Sequence, residues 1–423
     1  MQRVIQIKLF SLQPIGLKTS MIESLTSYLA RLAEAHCVTV GTLIGKVVAE
    51  ELGKEYLLKS CIHGGSRFYE QGGVFNGLGK QAEDLSRALY NLTGLDASCL
   101  TLQYLRELLP VTDLLRKYKV WCPVCLDEWK KKRQPIYEPL IWNFKTVKIC
   151  GSHNVHLDVR CPLCGSEIPI LSRKTRNGYC SFCGCWLGNN SNYINKESTY
   201  SSWDHFILSN IGDLLLSGGS LPINYFVVFI EHLISAAGGL NAFSRYFDIA
   251  KSTASEWSNG VHKPSLNMIL KLCYSLKLNV LNLSQPVVLP DKNKTDILAN
   301  VIQKHQRRQI DWNHIETALK DIISHGEYYT PSVREVAKGL NIDKRLLYYH
   351  FPLLCKEISK IYTSHVQLMR NSRLKDGCNK IRIAVENALD TGEYPSRRII
   401  EETLPSSINL REQTFKDHWK TLI

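Results

Sequence analysis

Cys122-Pro-Val-Cys125, Cys150-Gly-Ser-His153, Cys161-Pro-Leu-Cys164 and Cys180-Ser-Phe-Cys183 follow one another in a single stretch of the chain. In each, two residues separate two metal-binding side chains. That spacing lets both reach one tetrahedral ion, and two such pairs complete a closed structural site. Taken in chain order, they predict two zinc ions. Cys122 and Cys125 join Cys150 and His153 in one site, and Cys161 and Cys164 join Cys180 and Cys183 in the other. An interleaved pairing satisfies the same spacings. A disulfide framework is the competing reading of so many cysteines, but paired two-residue spacers are a metal pattern. His156 and Cys185 are spare donors beside the two sets.

Working outward, 423 residues exceed one ordinary domain. The hydrophobic content of 44% and charged content of 22% are those of a globular chain. No apolar run reaches the length of a membrane span, and the start reads as mature sequence without a secretory leader, so the expectation is a cytoplasmic protein with no membrane partner. The formal charge is +13. Seven thiolates and two divalent ions bring it to about +10, still basic enough to point to a polyanion such as nucleic acid.

Before the metal stretch the pattern is helical. Ile22, Leu25, Leu29 and Leu32 predict an amphipathic helix over 22–35 capped by Ser20, and a second helix follows Thr39. Further helices are expected over 82–92 and 100–109, the latter closed by Pro110. Gly77-Leu-Gly79-Lys80-Gln81 imitates a phosphate loop, yet it has Val74 and Gln81 where such a loop needs glycine and a hydroxyl, so nucleotide binding there is rejected. Between the ligands, lysines and arginines alternate with Trp121, Trp129, Tyr137, Trp142 and Phe144. That alternation fits either a phosphate-contacting surface or the aromatic core of a small metal module.

Beyond a polar linker at 189–202 the pattern is that of helix-turn-helix units. Helical segments at 226–234 and 240–247 precede Lys251-Ser-Thr-Ala-Ser-Glu-Trp257-Ser-Asn-Gly260, with Pro264-Ser265 opening the next helix. This resembles the Cro/repressor type of helix-turn-helix, with Ser252, Thr253, Ser255 and Glu256 toward DNA. After a second linker at 285–295 the chain repeats itself: Ile315 to Gly326, then Glu-Tyr-Tyr-Thr-Pro331-Ser332, matches Ile383 to Gly392, then Glu-Tyr-Pro395-Ser396. Two copies are too few for a solenoid, so tandem helix-turn-helix units are expected. In the first, Lys344, Arg345, Tyr348 and His350 would meet DNA. In the second, Arg397 and Arg398 open one helix, and 409–419 forms another that carries Arg411, Gln413, Lys416 and, just beyond it, Lys420.

The fold class is therefore mainly α and multidomain. Residues 1–115 form a helical N-terminal domain, 116–188 a double zinc region of ribbons or knuckles, 203–284 a Cro-like domain, and 297–370 and 371–423 two helix-turn-helix repeats.

The combination resembles the TniQ/TnsD family of transposon target-selection proteins, and in particular its longer, TnsD-like members. Glu23-Ser24-Leu25-x-Ser27-Tyr28-Leu29-x-Arg31-Leu32 is similar to the family's N-terminal motif, and Leu92-Thr93-Gly94-Leu95 to its next segment. Trp121-Cys122-Pro-x-Cys125, Cys150-x-x-His153, Leu157 and Cys161-Pro-x-Cys164 are similar to its zinc region. Val333-Arg-Glu-Val-Ala337 and Leu347-Tyr-Tyr-His350-Phe-Pro352 resemble repeats of the longer members. The resemblance implies a non-catalytic protein that marks a double-stranded target site and recruits the AAA+ ATPase regulator that licenses the transposase. Some members read a fixed attachment sequence. Others ride on a CRISPR effector complex and take their target from its guide RNA. Tandem base-reading units favour the first mode.

Enzyme classes fare poorly. The chain has no His-Glu-x-x-His, no His-x-Glu ahead of a Pro-Cys-x-x-Cys, and no ligand set short of four that would leave a metal position open for water. A zinc-containing transcription regulator is the other alternative, since Leu346 to Phe351 also resembles the end of a TetR-type recognition helix.

Overall fold

The computed structural model describes residues 8–53, 55, 67–188, 201–285, 287–289, 310–324, 331–405 and 408–423. Most of the two expected linkers and the loop of the first repeat lie outside these residues. Among the described residues there are helices, short 3₁₀ turns and isolated bridges, with no multi-residue strand. The chain forms two compact units, Met1–Gln303 and Lys304–Ile423.

In the first unit, α1 (Leu25–Ala35) is capped by Ser24, whose hydroxyl accepts from the Ser27 amide. The expected start at 22 with a Ser20 cap is therefore corrected. Residues 22–24 are extended because they pair with 138–140: the Leu140 amide donates to the Ile22 carbonyl at 2.7 Å and the Ser24 amide to that of Glu138 at 3.0 Å. α2 starts at Val40 behind a Thr39 cap and continues through a π-helical turn, Ile44–Val48, to Glu51. A short α3 (Arg67–Glu70) precedes α4 (Lys80–Thr93), which ends on a left-handed glycine, Gly94.

The helix expected over 100–109 does not form. Two 3₁₀ turns, Ser98–Leu100 and Gln103–Leu105, stand there instead. The Thr101 hydroxyl bonds the Ser98 carbonyl and accepts from the Gln103 amide, while the Leu102 amide is drawn away to the Asn76 carbonyl. Local side-chain bonds have replaced the helical ladder.

α5 (Pro123–Lys131) opens the metal stretch. α6 (Ser202–Leu216), α7 (Tyr225–Ala236), α8 (Leu240–Phe247), α9 (Lys251–Ser258) and α10 (Leu266–Ser275) follow. One buried cluster runs through the whole unit, from Leu9 to Leu283, and includes Trp121, Trp142 and Phe144. The aromatics of the metal stretch are thus core. Trp129 and Tyr137 stack on each other at 4.6 Å rather than presenting free platforms.

The second unit has two separate clusters. α11 (Trp312–Ser324), α12 (Val333–Gly339) and α13 (Lys344–His350) pack around Leu319, Val336, Leu347 and Ile358. Ser332 and Glu335 form a reciprocal capping box at the head of α12, and Asp343 caps α13. Phe351 breaks the helical path and Pro352 starts α14 (Pro352–Asp390), 39 residues long. Residues 370 and 371 lie inside this one helix. α15 (Arg397–Thr403) and α16 (Gln413–Leu422) pack on its far end around Ile381, Val385, Ile400 and Phe415. The helix expected from 409 begins at Gln413. At 100° per residue, Ile358 and Ile381 point roughly 140° apart, so no single apolar stripe runs along α14.

Candidate metal centres

The structure brings the eight predicted ligands together as two groups of four, paired in chain order rather than interleaved. Within each group all ligand atoms lie within 4.8 Å of one another. In the first, Cys125 Sγ is 3.5 Å from Cys150 Sγ. His153 Nδ1 lies 3.6, 3.2 and 3.7 Å from the sulfurs of Cys122, Cys125 and Cys150. In the second, Cys161 Sγ is 3.5 Å from Cys183 Sγ, and Cys164 Sγ is 3.8 Å from Cys180 Sγ. A tetrahedron with metal–sulfur bonds of about 2.3 Å has edges of about 3.8 Å, so both sets fit one ion each.

Three of the four knuckles share one backbone design. At Cys150, Cys161 and Cys180 the cysteine amide donates to the carbonyl five residues on, at 2.8 to 3.0 Å. The carbonyl of each accepts from the amide four residues on, at 2.9 Å. The residue four on has positive φ: Asn154, Gly165 and Gly184. Cys122 and Cys125 differ, because they sit on the first turn of α5, where Cys122 Sγ accepts the Cys125 amide at 3.4 Å. The first centre is therefore a helix start facing a knuckle, and the second is two facing knuckles.

The charges of the sets also call for a cation. In the first, the Cys150 thiol is lowered to about 2 by hydrogen bonds from Cys122 and Cys125, while Cys125 is pushed far up by its bonds with Cys122 and Cys150. In the second, the Cys180 thiol falls to about 5 through its bond from Cys183, which rises in turn. Close-packed sulfurs thus share protons, and a divalent ion replaces those protons when all four donors bind.

Burial pulls the His153 imidazole down, but its bonds to Glu128 and Cys150 outweigh this and the net direction is upward. Its Nε2 donates to Glu128 Oε1 at 3.0 Å, which leaves Nδ1 free to ligate. The sequence reading missed Glu128. Its signal is the three-residue step from Cys125 along α5, which returns it to the ligand face. His156 and Cys185 fall outside both groups, and Cys185 Sγ donates to the Trp186 carbonyl.

A buried polar network joins this region to α1. Ser27 Oγ donates to Glu23 Oε1 at 2.8 Å and accepts from the Glu138 amide and Asn177 Nδ2, both at 2.9 Å. Arg31 closes on Glu23 Oε2 at 2.8 Å. Asn76 ties Thr26 to Asn143. The motif residues Glu23, Ser27 and Arg31, spaced four apart, thus form the polar seam along which the N-terminal helices meet the metal region.

Residues 14–157 match the TniQ family model. The TniQ segment spans α1 to α5, the seam apart from Asn177, and the first centre, and ends before Cys161. The TniQ domain is associated with transposon target selection and DNA binding. No curated protein matches the chain.

The expected DNA-facing residues lie outside the TniQ segment. On α9, Ser252 is exposed and Thr253 and Ser255 are half-buried, with Trp257 turned into the core. On α13, Lys344, Arg345 and Tyr348 are exposed. Lys344 lies over the Tyr348 ring, whose hydroxyl is 3.2 Å from that of Ser359. His350 stacks on Trp312 with ring centres 3.7 Å apart, so it braces α13 against α11. In the last helices Arg397 and Arg398 pair with Glu401 and Glu402, and Arg411 and Lys416 are half-buried. Lys420 is exposed.

Among the described residues no single helix is long and apolar enough to cross a membrane.

Proposed function

We propose that the protein is a non-catalytic, TnsD-like target selector of a transposon. It reads duplex DNA with its helix-turn-helix units and recruits the AAA+ ATPase regulator of transposition. The TniQ match over residues 14–157 carries this reading. Two observations support it: two closed four-donor sets that suit structural zinc, and an exposed cationic α13 presented after a tight turn. The zinc ions hold the knuckles together and take no part in chemistry, since each has four protein ligands.

The test is duplex selection with the zinc-loaded full chain at physiological salt, followed by Arg345→Ala. The variant should bind the selected duplex about 5- to 150-fold more weakly, as expected for loss of one base-reading side chain. If no duplex is preferred over random DNA, the fixed-site reading is wrong and an adaptor carried by a guide-RNA complex replaces it.

A further inference from the structure

The feature that the target-selection reading leaves unexplained is the length of α14. A helix that only joined two modules would end where the first core ends, near Ile358, and the chain would turn. Instead it runs on unbroken, and from Ser359 to Asp376 no residue is buried. Leu368 and Met369 in this bare section are 69% and 60% exposed. So α14 enters one core with Cys355 and Ile358, runs on with only half-buried and exposed residues, and enters the next with Ile381 and Val385.

Both ends are held firmly. At the first, Tyr348 of α13 reaches Ser359, and Leu347 is fully buried beside Ile358. At the second, Phe415 of α16 lies on the bare backbone of Gly377, where an added Cβ would stand 2.5 Å from its ring. Arg373 grips Glu412 just ahead of α16 at 2.6 Å. Each core therefore fixes one candidate DNA-reading helix to the rod, in distance and in angle. From Ile358 to Ile381 the helical rise is about 34 Å, and the two residues point roughly 140° apart around the rod, so each core holds a fixed place along it and around it.

We propose that α14 is a ruler: it sets α13 and α16 on one target duplex so that the site consists of two boxes at one fixed spacing. This inference rests on the DNA-reading function proposed above and adds the architecture of the target. The site is asymmetric, because the two boxes are read by different helices of a single chain. Lys344 and Arg345 serve one box, and Lys416 and Lys420 the other. The spacing between the boxes is a property of the protein, as much a part of specificity as the bases themselves.

The experiment is selection from a random duplex library by the full-length, zinc-loaded chain and by two variants of the bare section. One carries seven extra helix-forming residues between Leu368 and Met369. These lengthen the rod by about 10 Å and return the far unit to within about 20° of its original phase. The other is Met369→Pro, which breaks the rod and leaves both cores intact.

Wild type should select two boxes at one fixed spacing. The insertion should keep both box sequences but shift the spacing or lose one box, with at least about tenfold weaker binding to the wild-type site. The proline variant should accept a broad range of spacings. The ruler is overturned by one continuous box, or by an unchanged spacing in both variants. If no sequence is enriched by any of the proteins, the DNA-reading function itself falls, and the ruler with it.

Discussion

Glu23 offers the sharpest physical test of the seam between the N-terminal helices and the metal region. Its side chain is fully buried, and burial pushes the carboxyl from 4.5 up to about 7 although Arg31, Ser27 and the Ile15 amide all favour its charged form. A folded-state pKa above the unfolded one means that the folded chain binds the extra proton. Stability from this group is complete below about pH 4.5 and is lost as the pH rises through about 7, amounting to about 3 kcal/mol. Glu23→Gln removes the titration and keeps an acceptor for Arg31 and Ser27. The metal centres titrate in the opposite sense, because protons compete with the metal in acid, but they do so equally in both proteins. The difference between wild type and variant therefore isolates Glu23. In urea denaturation followed by tryptophan fluorescence, wild type should lose about 3 kcal/mol relative to the variant between about pH 4.5 and about pH 7.5. Parallel pH profiles would refute the argument.

Other perturbations separate the centres from the cores. Cys161→Ala should lower the zinc content from two ions to one by elemental analysis and leave the first centre loaded, because the two groups share no ligand. Glu128→Gln removes the carboxylate behind His153 and should weaken metal binding at the first centre about 10- to 100-fold in chelator competition. Gly377→Ala should destabilise the α14–α16 core by about 1–3 kcal/mol, since Phe415 must move from the bare backbone. Hydrogen exchange should show α16 opening more often while α12 and α13 keep their protection.

The grouping of the eight candidate donors follows from local information: two residues between donors is a geometric statement about one turn of chain. The start of α13 is local in the same way, since Asp343 caps it directly. Long-range geometry was not legible in the sequence. Ser20 and Ser24 are equivalent as caps on paper, and only pairing with residues 138–140 decides for Ser24. His350 is exposed yet stacks on Trp312, far back in the sequence, a contact that no local pattern announces. The continuity of α14 was hidden because the two halves bury different sides, so a search for one apolar stripe finds none. The lone glycine that reads as a weak point is the spot where Phe415 lands.

The polar seam also bears on inheritance. Ser27 bonds to Glu138 and Asn177, and Gly72 packs so tightly that an added Cβ would meet the Leu171 amide at 2.8 Å. A chimera that took residues 1–115 from one relative and the remainder from another would set unmatched donors and volumes against each other along this seam. The N-terminal helices and both knuckle pairs should therefore travel through evolution as one block. Because one buried cluster continues from there to Leu283, recombination that yields a working protein should fall at the boundary between the two compact units, near Gln303.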